Sequence, residues 1–182
     1  MNEQRPVLIK GARIIDPSSS LDTHGDLLIL DGKIKEQRSI ISPPDGSLII
    51  NADGMVACPG FVDIHTHLRE PGREDRETIE SGQKAAAKGG FTTITCMPNT
   101  EPSIDNAAIA QFINKKAQDA GLVRTLLVGS VSKNRKGIEL SEMEELANSG
   151  VVAFSDDGSP VATGHLMQMA LLYSKELFNS LS

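Results

Sequence analysis

Phe61-Val62-Asp63-Ile64-His65-Thr66-His67-Leu68-Arg69 leaves a short apolar strand, Phe61 to Ile64, on a turn holding two histidines and an arginine. The next segment has the grammar of a helix. Asp75 to Lys88 has acids in its first turn, Ala85-Ala86-Ala87 in its body and Gly89-Gly90 as its stop. The unit then repeats: strand Phe91 to Cys96, helix Asp105 to Gln118, strand Val123 to Val128, strand Val151 to Phe154 and a last helix from Gly164 to Phe178. Between the third and fourth strands, Ser141-Glu142-Met143-Glu144 has the spacing of a capping box opening a helix that Gly150 ends. Strand starts near 61, 91, 123 and 151 are the rhythm of a βα repeat with a parallel sheet. Such repeats build either a doubly wound sheet or a (β/α)8 barrel. The first strand-to-helix turn carries His-Thr-His-Leu-Arg and no glycine-rich phosphate fingerprint, which disfavours the nucleotide-binding sheet. A complete barrel needs about 250 residues. Residues 59–182 supply four βα units, so the expectation is an α/β fold comprising the N-terminal half of a (β/α)8 TIM-type barrel.

Working back toward the N-terminus, residues 1–58 read as a small separate β domain. Val7-Leu8-Ile9, Arg13-Ile14-Ile15, Asp26 to Leu30, Lys33-Ile34-Lys35 and Leu48-Ile49-Ile50 are strand-like. They are divided by the turn clusters Asp16 to Ser20, Asp31-Gly32, Pro43 to Gly46 and Asp53-Gly54. Asp31-Gly32 is the strongest hairpin signal. A β unit this small buries little core and is expected to pack on something else.

Composition sets the bounds. The 182 residues are 39% hydrophobic and 23% charged, an ordinary globular balance. No apolar run approaches the roughly 18 residues of a membrane span, and the first residues lack a signal-peptide core, so a cytoplasmic location is expected. Eighteen basic against twenty-four acidic residues give a net charge of −6 with the basic residues scattered, which points away from nucleic acid. Cys58 and Cys96 stand outside any metal-binding or disulfide spacing and are expected to be buried, reduced thiols.

The chemistry concentrates at the carboxyl ends of the strands. Residues two apart on a strand share a face, so His65 and His67 project together toward the mouth of a barrel as a pair of imidazole ligands. Facing Asn99 inward also faces Thr93 and Thr95 inward and sends Ile94 and Cys96 toward the helices. Facing Asp157 inward sends Val152 and Phe154 outward. Asp156 is the weaker candidate for the same place and reads as structural, which leaves the choice between the two aspartates open. His24 is expected in a surface turn and His165 at a helix start, both apart from the site. Arg73-Glu74-Asp75-Arg76 is expected as a solvated loop. The run Leu166, Met167, Met169, Ala170, Leu171 and Leu172 is expected as a core-facing helix face.

Cys58-Pro59-Gly60-Phe61-Val62-Asp63-Ile64-His65-Thr66-His67-Leu68-Arg69-Glu70-Pro71 resembles the signature of the amidohydrolase superfamily. Its Leu-Arg-Glu-Pro tail resembles the cyclic-amidase branch of dihydroorotases and allantoinases. Cys96-Met97-Pro98-Asn99-Thr100 and Phe154-Ser155-Asp156-Asp157-Gly158 are similar to the segments that close the second and fourth strands in bacterial dihydroorotases. Allantoinases and dihydropyrimidinases generally place a carboxylated lysine after the fourth strand, whereas one class of bacterial dihydroorotases places an aspartate there. The Asp156-Asp157 pair favours the latter, aspartate-bridged class. The likeness covers nearly the whole chain.

The resemblance implies a metal-dependent hydrolase. His65, His67 and Asp157 would hold one or two Zn²⁺, with Co²⁺ or Mn²⁺ able to use the same ligands. Arg69 would bind a substrate carboxylate and Asn99 would add amide hydrogen bonds. The implied reaction is the reversible hydrolysis of the cyclic amide of dihydroorotate to N-carbamoyl-aspartate, in pyrimidine biosynthesis. Alternatives are a non-catalytic scaffold subunit or another cyclic amidase such as an allantoinase or hydantoinase. A homo-oligomer or a complex with aspartate carbamoyltransferase is the implied assembly. The family's two further metal-binding histidines and its proton-shuttling aspartate would lie beyond Ser182, so no general base is assigned. The chain is therefore expected to be the N-terminal portion of a longer protein, with unpaired strand edges and no activity alone.

Overall fold

The computed structural model describes residues 5–179, and the chain divides into two compact units between Pro59 and Gly60. In the first unit, β1 (Val7–Asp16), β2 (Leu21–Leu30) and β3 (Lys33–Arg38) form an antiparallel meander. β4 (Leu48–Asn51) and the short β5 (Val56–Ala57) pair parallel to the other edge of β1, giving the order β3-β2-β1-β4. Asp31 and Gly32 both take positive φ (49° and 72°) and make the expected two-residue hairpin between β2 and β3. The segments expected as separate strands at 7–9 and 13–15 are one strand, with a register break between Ile9 and Ala12. Gly11 sits in that break at φ 73°, and its N–H leaves the ladder to donate to Asp26 Oδ1 at 2.9 Å.

Asp26 is the buried polar anchor of this unit. Its second carboxylate oxygen accepts from Ile41 N–H at 2.9 Å, and these backbone donors, Ile41 first, hold the carboxyl below the ordinary aspartate range. Two small apolar clusters form around it, one on Ala12, Ile14, Leu27 and Ala52, the other on Leu8, Leu28 and Ile41. His24 is exposed within β2, in a strand and not a turn.

The second unit is a four-stranded parallel sheet. β6 (Phe61–Thr66), β7 (Phe91–Cys96), β8 (Arg124–Gly129) and β9 (Val151–Phe154) lie in the order in which they occur in the chain. α1 (Ile79–Lys88), α2 (Ala107–Ala120) and α3 (Met143–Asn148) connect them, and α4 (Gly164–Asn179) follows β9. Ile94, Cys96, Leu127 and Val151 from the sheet pack with Ile79, Ile113, Ala117 and Leu146 from the helices as one core. Burial in it raises the Cys96 thiol to about 12. Cys58, by contrast, is exposed just past β5, so the expectation of two buried thiols holds for one.

Helix α1 begins four residues later than the acids predicted. Thr78 caps it: its hydroxyl accepts from Ser81 N–H at 3.1 Å while Ser81 Oγ accepts from Thr78 N–H at 3.0 Å, a reciprocal box that outcompetes Asp75 as the start. Arg73 to Arg76 stay in the preceding loop, where Arg73 pairs with Asp75 at 3.0 Å. The box expected at Ser141 does not form. The Ser141 hydroxyl donates to Ser130 O, and α3 starts at Met143 without a side-chain cap.

Parity along β7 agrees with the sequence, with Ile94 and Cys96 in the helix-side core. On β9 it breaks: Val151 and Phe154 both pack on that core, whereas Val152 is 43% exposed. The pairing with β8 skips from Val151 to Ala153, so Val152 is the extra residue of a bulge and the alternation slips by one. Helix α4 departs further from expectation. Ala170 is buried and Leu166 half-buried, but Met167, Met169, Leu171 and Leu172 are exposed. No described helix is long and apolar enough to cross a membrane.

Gln83 ties the helices to the sheet. Fully buried, it donates to Ala117 O (3.0 Å) and Thr125 Oγ1 (2.9 Å) and accepts from Leu122 N–H (2.9 Å). Gln83→Leu strands these partners in a dry core and is expected to lower stability by about 2–3 kcal/mol in urea unfolding. Asp26 gives a pH signature. Its folded pKa is depressed, so its contribution is present above the unfolded value of about 3.9 and is lost as pH falls through the lower folded one. Asp26→Asn is expected to destabilise the chain at pH 7, with the gap to the native protein closing as pH drops below about 4.

Candidate metal centre

Three strand ends meet at one point. His65 lies near the end of β6, His67 just beyond it, Asn99 three residues past β7 and Asp157 three residues past β9. His65 Nε2 is 3.1 Å from Asp157 Oδ1, the two imidazole rings stand edge to face at 5.2 Å, and Asn99 Nδ2 donates to Asp157 Oδ2 at 2.7 Å. One ligand atom from each of His65, His67 and Asp157 falls within 4.8 Å of the others. Asp156 is not part of this set. It is buried and its carboxylate accepts from Ser132 N–H (3.0 Å) and the Ser132 hydroxyl, which fixes the chain just before Asp157.

Asn99 decides the state of His67. Because its amide nitrogen is committed to Asp157, its oxygen faces His67 Nδ1 at 3.0 Å and must accept. A neutral His67 in this contact carries its proton on Nδ1 and leaves the Nε2 lone pair free, the tautomer an imidazole ligand needs. The set of two imidazoles and one carboxylate, partly buried and converging, matches what Zn²⁺ takes from protein.

Arg69 stands two residues past His67 on a segment clamped from both sides. Leu68 enters the helix-side core. Glu70 is buried, accepts from Ile79 N–H at the start of α1 (2.9 Å) and pairs with Lys116 of α2 (3.0 Å). Arg69 between them is half-buried at φ 61°, and its guanidinium has no hydrogen-bond or ion-pair partner among the described residues. His165 is exposed at the start of α4 and does not join the cluster.

One contributor has no counterpart among the residues the sequence singles out. Arg135, in the loop after β8, donates to Asp156 O (2.8 Å) and Ser159 Oγ (3.1 Å), and its guanidinium lies 3.9 Å from Asp157 Oδ2. The two loops run close together at Gly137. Its carbonyl accepts from Ala162 N–H at 3.0 Å, and a Cβ there would lie 2.5 Å from Pro160 O. The only sequence trace of this is a basic loop with a glycine, Lys133 to Gly137, which carries no ligand-like spacing.

This chain is an α/β protein that brings two imidazoles and a carboxylate together at the carboxyl edge of a parallel sheet, the edge where such sheets place their sites. Within that class the chain belongs to the dihydro-orotase-like family, whose sequence profile matches residues 54–181. It is 47% identical over 169 residues to the dihydroorotase of Citrifermentans bemidjiense and 46% identical over 171 residues to that of Aquifex aeolicus. These alignments take in 93% and 94% of this chain but 40% of each relative, so the chain spans less than half the length of the proteins it matches. Among solved structures, the L-hydantoinase of Arthrobacter aurescens superposes with a TM-score of 0.68 at 30% identity, over 81% of this chain and 32% of the other. The family is thus one of cyclic amidohydrolases.

Proposed function

We propose that this chain forms the first half of a (β/α)8 barrel and carries the metal ligands and the substrate-carboxylate arginine of a dihydroorotase. The observation that carries this reading is the convergence of His65, His67 and Asp157 from the two opposite edges of the sheet. The strand order supports it, since a doubly wound sheet reverses direction and this one does not. Helices cover one face only, while Val62 and Ile64 on β6 stand 59% and 76% exposed.

In this reading His65, His67 and Asp157 hold Zn²⁺, or Co²⁺ or Mn²⁺ on the same donors. A divalent ion there supplies Lewis acidity toward a cyclic amide carbonyl and lowers the pKa of water. The chain's own residues do the rest of the work visible here. The proton that His65 and Asp157 share is the one a cation would displace. Asn99 holds His67 in its ligating tautomer and offers the substrate an amide hydrogen bond in exchange for one it makes in this structure. Arg69, anchored through Leu68 and Glu70, presents a planar fork to the carboxylate of dihydroorotate. A hydantoinase is the second reading, favoured by the Arthrobacter likeness. A hydantoin ring lacks the carboxylate that Arg69 would bind, so the arginine separates the two.

Two measurements test this. Calorimetric titration with Zn²⁺ is expected to show binding that His65→Ala/His67→Ala abolishes; equal binding by both proteins would remove the metal reading. In the zinc-loaded chain, Arg69→Ala is expected to weaken dihydroorotate about 10- to 100-fold and to leave hydantoin unchanged. An unchanged dihydroorotate affinity would refute the role of Arg69.

A further inference from the structure

We propose that Arg135 is a positioning residue for Asp157, holding the loop after β9 so that the carboxylate meets His65 and His67. The inference rests on the metal reading and extends it to a residue on a fourth strand end.

Asp157 is the one ligand that does not follow directly from a strand. It comes three residues after β9, beyond a bulge, and takes φ 44°, in the left-handed region. Arg135 grips the chain on both sides of it, at the Asp156 carbonyl and at the Ser159 hydroxyl. The same guanidinium reaches within 3.9 Å of Asp157 Oδ2, and both side chains are largely buried, 20% and 12% exposed. The grip is itself built. Asn134 and Arg135 are consecutive residues at positive φ, 53° and 57°, and that double turn swings the arginine toward the neighbouring loop. Asp156 returns the contact through Ser132, whose hydroxyl also accepts from Gly137 N–H at 2.7 Å. The two loops are therefore pinned at several points around Asp157, with Arg135 the only side chain among the described residues that contacts the chain before it, the chain after it and the carboxylate.

A planar guanidinium is needed for this, because two different N–H groups serve the carbonyl and the hydroxyl while the fork still faces the carboxylate. Partners of metal ligands typically contribute 10- to 100-fold to metal affinity. The test is a competition titration of Zn²⁺ against a chromophoric chelator on the 182-residue chain. Arg135→Met is expected to weaken Zn²⁺ binding about 10- to 100-fold. The Asp157→Asn/Arg135→Met double variant is expected to bind no more weakly than Asp157→Asn alone, since without the anionic ligand there is nothing left to position. Unchanged or tighter binding by Arg135→Met would overturn the proposal, as would an equal further loss in the Asp157→Asn background, the mark of general structural damage. If Arg135→Met fails to fold by circular dichroism, Ser159→Ala decides. It leaves the guanidinium in place and removes one anchor, so a several-fold weaker Zn²⁺ affinity supports the role and native affinity overturns it. Zn²⁺ binding that survives His65→Ala/His67→Ala would bring down the metal reading and this inference with it, whereas native binding that ignores Arg135 brings down this inference alone.

Discussion

The hydrogen bond between His65 and Asp157 joins the two edge strands of the parallel sheet, residues 92 positions apart. With β7 and β8 between them, a flat sheet would hold these residues three strand spacings apart, roughly 14 Å, with side chains standing perpendicular to it. A separation of 3.1 Å requires the sheet to curl toward its uncovered face and the loop after β9 to lean inward. Strands carry an ordinary right-handed twist, and the pairing has register breaks in β6 and β9. Everything else at the site is arranged around that meeting point: Asn99 from β7 bonds to members on both sides, and Arg135 from the end of β8 braces the far one.

Helix-side packing and site geometry are coupled through polar anchors. Glu70 fixes the segment bearing Arg69 to the first turn of α1 and to α2, and Gln83 fixes α1 to the turn that starts β8. Asp156 fixes the β9 loop to the β8 loop. Among the described residues no buried side-chain nitrogen or oxygen lacks a partner, so these anchors are complete and each defines one arrangement of the loop it holds. Loops pinned in this way present side chains without relying on a strand to direct each one.

Much of this is legible from residues alone, and the reasons differ by element. The four strands of the second unit are readable because an apolar run bounded by glycine, repeated at nearly constant spacing, admits few alternatives. His65 and His67 are readable from strand parity. Asp31-Gly32 is readable because a type I′ turn demands positive φ at both positions. Pattern fails where two local signals compete or where the decisive partner is distant. Asp75 and Thr78 both start helices, and the reciprocal bond between Thr78 and Ser81 settles it. Ser141 meets the capping pattern, yet the Ser130 carbonyl captures its hydroxyl. Val152 breaks the alternation because a bulge is a property of the pairing and not of the strand. Arg135 leaves no more than a basic loop with a glycine to read, because its three partners lie more than twenty residues along the chain.

The apolar residues of α4 carry the same lesson in reverse. Met167, Met169, Leu171 and Leu172 have the composition of a buried helix and are exposed, as are Val62 and Ile64 on the uncovered face of β6. Helix periodicity locates an apolar stripe but does not say which stripe finds a partner, and here Ala170 is the buried member. Leu127 on a strand and Leu146 on a helix are both fully buried in the one core cluster that the sheet and the helices share. The side chains of the candidate metal centre obey the opposite rule. They sit at the rim, where the sheet curls and the helices stop, and they converge because backbone and polar anchors direct them and not because apolar burial does. The order of the core and the geometry of the site are therefore set by different forces.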